Sequence, residues 1–321
     1  MQDEIFRIQN NAQFEELALK IFNYQIKYNP IYAAYAVLIL KGKSPNNIFE
    51  IPFLPISFFK QEQIICKGKA VETVFLSSGT EGKKSKHLVS ELLLYRNSYL
   101  NSFKIFYGDI TQYCILSLLP NYRQQEGSSL IYMVNDLILK SKHKNSGFYL
   151  NNYEKLAIIL EKLERIGQKT ILFGVSYALL ELAKSFPQKL EHTIIIETGG
   201  TKGNKKEMLK KELHQTLQNA FFLESIHSEY GMTELLSQSY SKKNGVFKSP
   251  PWKKVLIRDI NDPLTIVKED KTGGINIIDL ANIYSCPFIA TQDLGKTFDN
   301  ETFTILGRFD SSDMRGCNLL I

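Results

Sequence analysis

Cysteine is scarce. The 321-residue chain has four (Cys66, Cys114, Cys286 and Cys317), none in a C-x-x-C pair, so neither a disulfide framework nor a zinc knuckle is suggested and a reducing cytoplasm fits. Long apolar runs are missing as well. The longest, IYAAYAVLIL at 31–40, is about half the length a membrane span needs. The opening MQDEIFRIQNNAQFEEL is acidic and mixed where an export signal would be basic and then apolar. No membrane span and a cytoplasmic location are therefore expected. Nor is there a block of charge of one sign. The 39 Lys and Arg against 33 Asp and Glu leave a net +6, which favours anionic small molecules but is spread too evenly to mark a nucleic-acid surface. The lysine pairs at 205–206 and 210–211 fall on a helical pattern and read as a solvated face.

What remains is an ordinary globular composition, 44% hydrophobic and 22% charged, long enough for one large domain or two modest ones. Phe14, Ala18, Ile21 and Tyr24 recur at helical spacing over 11–28 and stop at Asn29-Pro30, with a second apolar helix to follow. From Val71, short β-branched or aromatic runs alternate with amphipathic stretches. VETVFLS, YCILSLLP, KTILFG, TIIIETGG and AFFLESIHS read as strands, with helices near 88–106, 127–140, 152–166, 175–185 and 204–218. That alternation predicts an α/β sheet with covered faces. Beyond about Ser241 the helical period vanishes, and KKVLIRDI, GINIIDL, PFIATQDL and TFTILGRFD read as strands joined by turns. The expected organisation is a helical segment 1–70, an α/β core 71–240 and a β-rich subdomain 241–321.

Ligands of open α/β sheets settle at the carboxyl ends of strands, so the loops after strands are where chemistry is sought. FLSSGTEGKKSKH (75–87) puts two glycines among four hydroxyl residues and three lysines, between the strand VETVF and the helix expected near Leu88. Its amides and cations suit a phosphate, although its Gly spacing is not that of a Walker A loop. ETGGTKG (197–203) offers bare backbone to a flat ring or simply makes a tight turn. In HSEYGMTE (227–234), Tyr230 can stack on a base, Thr233 can meet a phosphate oxygen and Glu234 can offer a hard oxygen to Mg²⁺; a helix cap at Thr233 or Glu234 is the alternative. TQDLG (291–295) and GRFD (307–310) supply Asp293 and Arg308, a pair suited to ribose hydroxyls.

Taken in order, SSGTEGKKSK, the glycine pair, YGMTE, TQDLG and GRFD resemble the motif series of the adenylate-forming superfamily over roughly residues 71–316. SSGTEGKKSKH, ETGGTKG and the terminal RGCNLLI are most similar to the acyl-protein synthetases of bacterial luminescence (LuxE). The resemblance implies the large α/β domain of that fold, its sheets flanked by helices, with a β-rich C-terminal subdomain. It implies ATP and Mg²⁺. Ser77, Ser78, Gly79, Thr80, Gly82 and Lys86 would attend the phosphates, and Gly199 and Gly200 would line the adenine. Tyr230 and Gly231 would stand against that ring, Thr233 and Glu234 would serve phosphate and metal, and Asp293 with Arg308 would hold ribose. A carboxylic acid, fatty acyl by resemblance, would become acyl-AMP and pass to a thiol: Cys317 in the matching place near the end, a partner protein, or CoA.

The sequence departs from the family pattern in two places. Glu81 stands where the family often has Thr, and KKSK leaves open which of Lys83, Lys84 and Lys86 meets phosphate. The sequence also stops soon after GRFD, where larger members continue into a lid carrying a lysine; a loop lysine, a partner subunit or a reduced activity are the expectations this raises. Two other readings stand beside this one. Gly174-Val175-Ser176-Tyr177-Ala178 approximates a hydrolase nucleophile elbow, with Ala for its second Gly and no Asp between Ser176 and His227. If it is not one, that helix lines a pocket through Phe173 and Tyr177. A non-catalytic nucleotide or acyl carrier is the last alternative.

Overall fold

The computed structural model describes residues 1–78, 83–121, 126–198, 210–267, 270–298 and 301–309. They form two compact units. One holds Met1–Ser98, Glu234–Ser237 and the described residues from Lys248 on, the other Tyr99–Thr233 and Gln238–Phe247, so the limits differ from the three spans expected. The helical segment and the β-rich tail fall in one unit because their side chains bond to each other.

The first unit opens with α1 (Gln2–Ile5), α2 (Asn11–Tyr28) and α3 (Pro30–Leu40). Asn10 starts α2 by accepting from the Gln13 amide, and Phe14, Leu17, Ala18, Ile21 and Phe22 form its buried stripe. Asn29, held extended ahead of Pro30, ends α2 and caps α3 through the Tyr32 amide. Its side-chain amide also donates to Ser285 O at 2.6 Å, while Gln25 donates to Ile283 O at 2.7 Å, tying the helix pair to the tail.

Next come β1 (Leu54–Pro55), α4 (Phe58–Gln61), β2 (Thr73–Leu76), β3 (Lys86–Val89) and α5 (Leu92–Tyr107), whose residues to Ser98 belong here. β2 and β3 pair antiparallel from Thr73↔Val89 to Leu76↔Lys86. This corrects the strand-to-helix reading of the lysine loop: it connects the two strands of a hairpin, and the helix begins at Leu92 rather than 88.

In the second unit β4 (Cys114–Leu118), α6 (Ser129–Ser141), β5 (Gly147–Phe148), α7 (Tyr153–Arg165), β6 (Thr170–Gly174), α8 (Ser176–Ser185), β7 (Thr193–Thr198), α9 (Lys210–Phe221) and β8 (His227–Tyr230) follow, then β9 (Ser239–Lys243) and β10 (Val246–Lys248). The strands order as β5-β4-β6-β7-β8, all parallel, with β9 antiparallel to β8. CILSL and TILFG are buried throughout, as strands covered on both faces must be. The expected AFFLESIHS strand divides differently. Phe221 completes the buried α9 series Leu213, Leu217, Phe221, and the strand is His227–Tyr230.

The first unit ends with β11 (Lys253–Arg258), β12 (Gly273–Asp279), β13 (Phe288–Phe298) and β14 (Thr302–Arg308), an antiparallel series, with β1 parallel to β13. No helix among the described residues is long and apolar enough to cross a membrane.

Candidate active site

In the second unit, polar side chains gather where β7 and β8 end. Glu197 is buried, with Lys210 Nζ at 2.7 Å and His214 Nε2 at 3.7 Å, both from the first turns of α9. Burial alone would raise its pKa, but the His214 contact and the Lys210 charge outweigh it and hold the carboxyl below its ordinary value. Thr198 Oγ1 donates to Glu229 Oε2 at 2.5 Å. Next to that carboxylate stands Gly231, where a Cβ would come within 2.5 Å of Glu229 Oε1 and only glycine fits without movement. Tyr230 is 9% exposed, its ring edge-on to Phe247 at 5.9 Å, which fixes the plane of the ring.

At the start of β8, His227 stacks on Tyr107 at 5.8 Å, and burial, reinforced by the charges of Lys242 and His214, pulls its pKa down to about 4. It is neutral at pH 7, and its Nδ1 shares a hydrogen bond with the Tyr107 hydroxyl at 3.3 Å. Glu197, Glu229 and His227 were given no role from the sequence, although Glu197 opens ETGGTKG and His227 and Glu229 lie within HSEYGMTE.

Ser176 opens α8 as a buried helical residue after an extended Val175. An elbow nucleophile sits exposed on a strained turn, so the hydrolase reading loses its geometry. Phe173 is buried in β6, whereas Tyr177 is exposed.

Thr233 is half-buried and closes the second unit's part of YGMTE; Glu234, 5% exposed, begins a four-residue segment of the first unit. No helix follows, so neither residue is a cap. Asn282 donates to Glu234 O at 2.7 Å. Asp279, wholly buried, accepts from the Leu236 amide (3.0 Å), the Ser237 amide (2.8 Å) and the Ser237 hydroxyl (2.6 Å). Burial pushes the Asp279 carboxyl up, against the pull of Lys253 and these donors. Lys253 in turn donates to Ser237 O at 3.0 Å. Trp252, the chain's single tryptophan, packs edge-on to Phe6 and donates its indole N–H to Ser98 and Ser237. This anchor holds the Glu234 segment, and nothing in the periodicity of GINIIDL announces it.

The two residues expected at ribose are brought together. Asp293 and Arg308 are register partners on β13 and β14, with Arg308 Nε donating to Asp293 Oδ1 at 3.1 Å. Asp293 is 6% exposed, whereas the Arg308 side chain is 63% exposed. Behind them lies Arg258, 9% exposed, which the sequence reading did not single out. Burial lowers its pKa, with Tyr35 and Asp293 opposing.

At the hairpin, Ser77 has a structural bond: its hydroxyl accepts from the Ser85 amide at 3.0 Å, while its own amide donates to Ser85 O. Ser78 is exposed, and Lys86 is an exposed cation on β3. Gly79, Thr80, Gly82, Gly199, Gly200 and Cys317 lie outside the described residues. The other three cysteines are buried, and burial raises the thiols of Cys66 and Cys114 to about 11 and that of Cys286 further.

Comparison with known proteins bears on this geometry. An open conformation of 2-hydroxyisobutyryl-CoA ligase, in complex with 2-HIB-AMP and CoA, has a TM-score of 0.65 at 11% identity over 94% of this chain and 75% of that one. ATP-bound MatB from Rhodopseudomonas palustris has a TM-score of 0.58 at 17% identity, covering 74% of this chain and 48% of MatB. O-succinylbenzoate coenzyme A synthetase (MenE) from Bacillus subtilis, in complex with AMP, has 0.50 at 18%, covering 76% and 50%. The chain thus spans about half the length of MatB and MenE and shares their fold. No curated protein matches it. The model of the acyl-protein synthetases, LuxE, matches residues 7–321, and the chain belongs to that family.

Proposed function

We propose that the protein activates a carboxylic acid with ATP and passes the acyl group to a thiol. The observation that carries this reading is the Asp293–Arg308 pair: a buried carboxylate with an exposed guanidinium on its neighbour, at the two positions where the motif order of the family puts ribose recognition. Tyr230, with its plane set by Phe247 and with Gly231 beside it, takes the adenine. Ser78, Thr80 and Lys86 neutralise the phosphates. Ser77 has its hydroxyl proton to give, since its oxygen already accepts from Ser85.

In the first step a carboxylate oxygen attacks the α-phosphorus. The new P–O bond forms as the bond to the bridging oxygen breaks, and pyrophosphate leaves. The residues contribute alignment and charge stabilisation. Among the described residues no three metal-ligating groups cluster, so Glu234 would hold Mg²⁺ together with phosphate oxygens, as that ion is commonly held. Bound there, the ion would neutralise developing charge on the triphosphate.

In the second step a thiolate sulfur attacks the acyl carbon and AMP leaves. Cys317 is the candidate within the chain because it falls where the family resemblance puts the acceptor; the three other thiols are buried and kept protonated. CoA is the second acceptor to test, given the CoA carried by a ligase of the same fold. A fatty acid is the proposed substrate class.

The test is pyrophosphate release over carboxylates of graded chain length, with a radiolabelled acyl group followed in wild type and Cys317→Ser. Release that peaks with a long-chain acid, and label lost in the variant, are expected. ATP binding without carboxylate-dependent release would make the protein a binder only, and equal labelling of both forms would move the acceptor elsewhere.

A further inference from the structure

β12 and β13 pair regularly from Ile278↔Phe288 to Asn276↔Ala290 and again from Gly274↔Leu294 to Gly273↔Gly295. Between these stretches a single residue of β12, Ile275, faces Thr291, Gln292 and Asp293. Such a bulge re-aims a side chain and takes backbone groups out of the ladder, and buried ones must find other partners. Ile275 O accepts from Arg258 Nη1 (2.9 Å) and from Thr291 Oγ1 (2.9 Å), and Thr291 O accepts from Arg258 Nη2 (2.6 Å). The Asp293 amide donates to Thr291 Oγ1 at 3.1 Å, and Gln292 O accepts from the Phe309 amide at 2.9 Å. Arg258 also donates to Asn276 Oδ1 at 2.8 Å, and the Phe309 ring lies 5.4 Å from its guanidinium carbon. Space for the arginine comes from Gly274, where a Cβ would stand 2.4 Å from that carbon.

We propose that Arg258 is a positioning residue for ATP recognition: its guanidinium replaces the ladder across the bulge and so sets the Asp293 carboxylate for the ribose hydroxyls. The inference rests on the ribose role of Asp293. Lysine at 258 keeps the charge but not the planar fork that reaches two carbonyls and an amide oxygen at once. Alanine at 274 keeps Arg258 and displaces it.

Calorimetry on the full chain with Mg-ATP and Mg-2′,3′-dideoxyATP separates this from a merely structural role. Wild type is expected to prefer ATP by about tenfold or more, the scale of hydrogen bonds to a charged group. Asp293→Ala should abolish the preference. Arg258→Lys and Gly274→Ala should reduce it to about threefold or less while binding the dideoxy nucleotide nearly as wild type does. If Asp293→Ala keeps the preference, the ribose assignment itself fails. If Asp293→Ala loses it while the two variants keep it, or lose both nucleotides equally, the role of Arg258 is overturned. Each variant is read only where circular dichroism shows the wild-type unfolding transition; if just one qualifies, that one decides.

Discussion

The two units fix carboxylates by opposite means. In the second, β7 and β8 are regular parallel strands whose backbone is satisfied by the ladder, so Glu197 and Glu229 are pinned from outside, by Lys210, His214 and Thr198. In the first, Asp279 and Asp293 stand where the backbone leaves regular pairing. Asp279 gathers the amides of a segment that forms no strand, and Asp293 sits on a bulge filled by an arginine. Where the ladder is intact, a lost side chain costs side-chain contacts alone. Where it is interrupted, the side chain stands in for backbone, and its loss leaves buried donors or acceptors unmet.

The sharpest break of this contrast is Asp279→Ala, which strands the Leu236 and Ser237 amides and the Lys253 charge; about 3–5 kcal/mol of stability should be lost in urea unfolding. A loss no larger than that of an ordinary surface substitution would erase the distinction. Glu234→Ala should lower carboxylate-dependent pyrophosphate release by about a hundredfold, the scale of one transition-state contact. Near-normal release would take Glu234 out of the chemistry.

On the regular side, Gly231→Ala forces a methyl against the Glu229 carboxylate and should cost about 1–3 kcal/mol in the same unfolding assay. No cost would mean that the carboxylate swings aside freely. The smallest effect is a pH dependence. The folded pKa of His227, about 4, lies below the unfolded value of 6.5, so between them the unfolded chain binds a proton the folded one does not. Its contribution to stability therefore rises with pH across that window and is lost as pH falls, by about 1–3 kcal/mol in all. In His227→Gln that component should vanish, seen as wild-type and variant unfolding curves that converge at low pH. A constant gap would refute it.

The same contrast explains what was legible. Continuous apolar runs such as CILSL and TILFG announce parallel strands because both faces are buried, and ASN-PRO punctuation placed the break between α2 and α3 at Asn29 and Pro30. AFF was misread because it is locally strand-like; Leu213, Leu217 and Phe221 at spacing four carry the helix instead. β3 was missed because KHLV is short and follows lysines. Motif order singled out Asp293 and Arg308, which the register pairs, but not Arg258, because a bulge is a property of two strands in register and leaves no periodic mark on either. Only the adjacent Gly273 and Gly274 hint that something large must pass there.

Trp252 gives the chain a built-in optical probe. As the sole indole, bonded to Ser237 three residues after Glu234, it makes intrinsic fluorescence a label-free reporter of the strip of chain that carries the candidate metal ligand, so a nucleotide titration reads that strip directly.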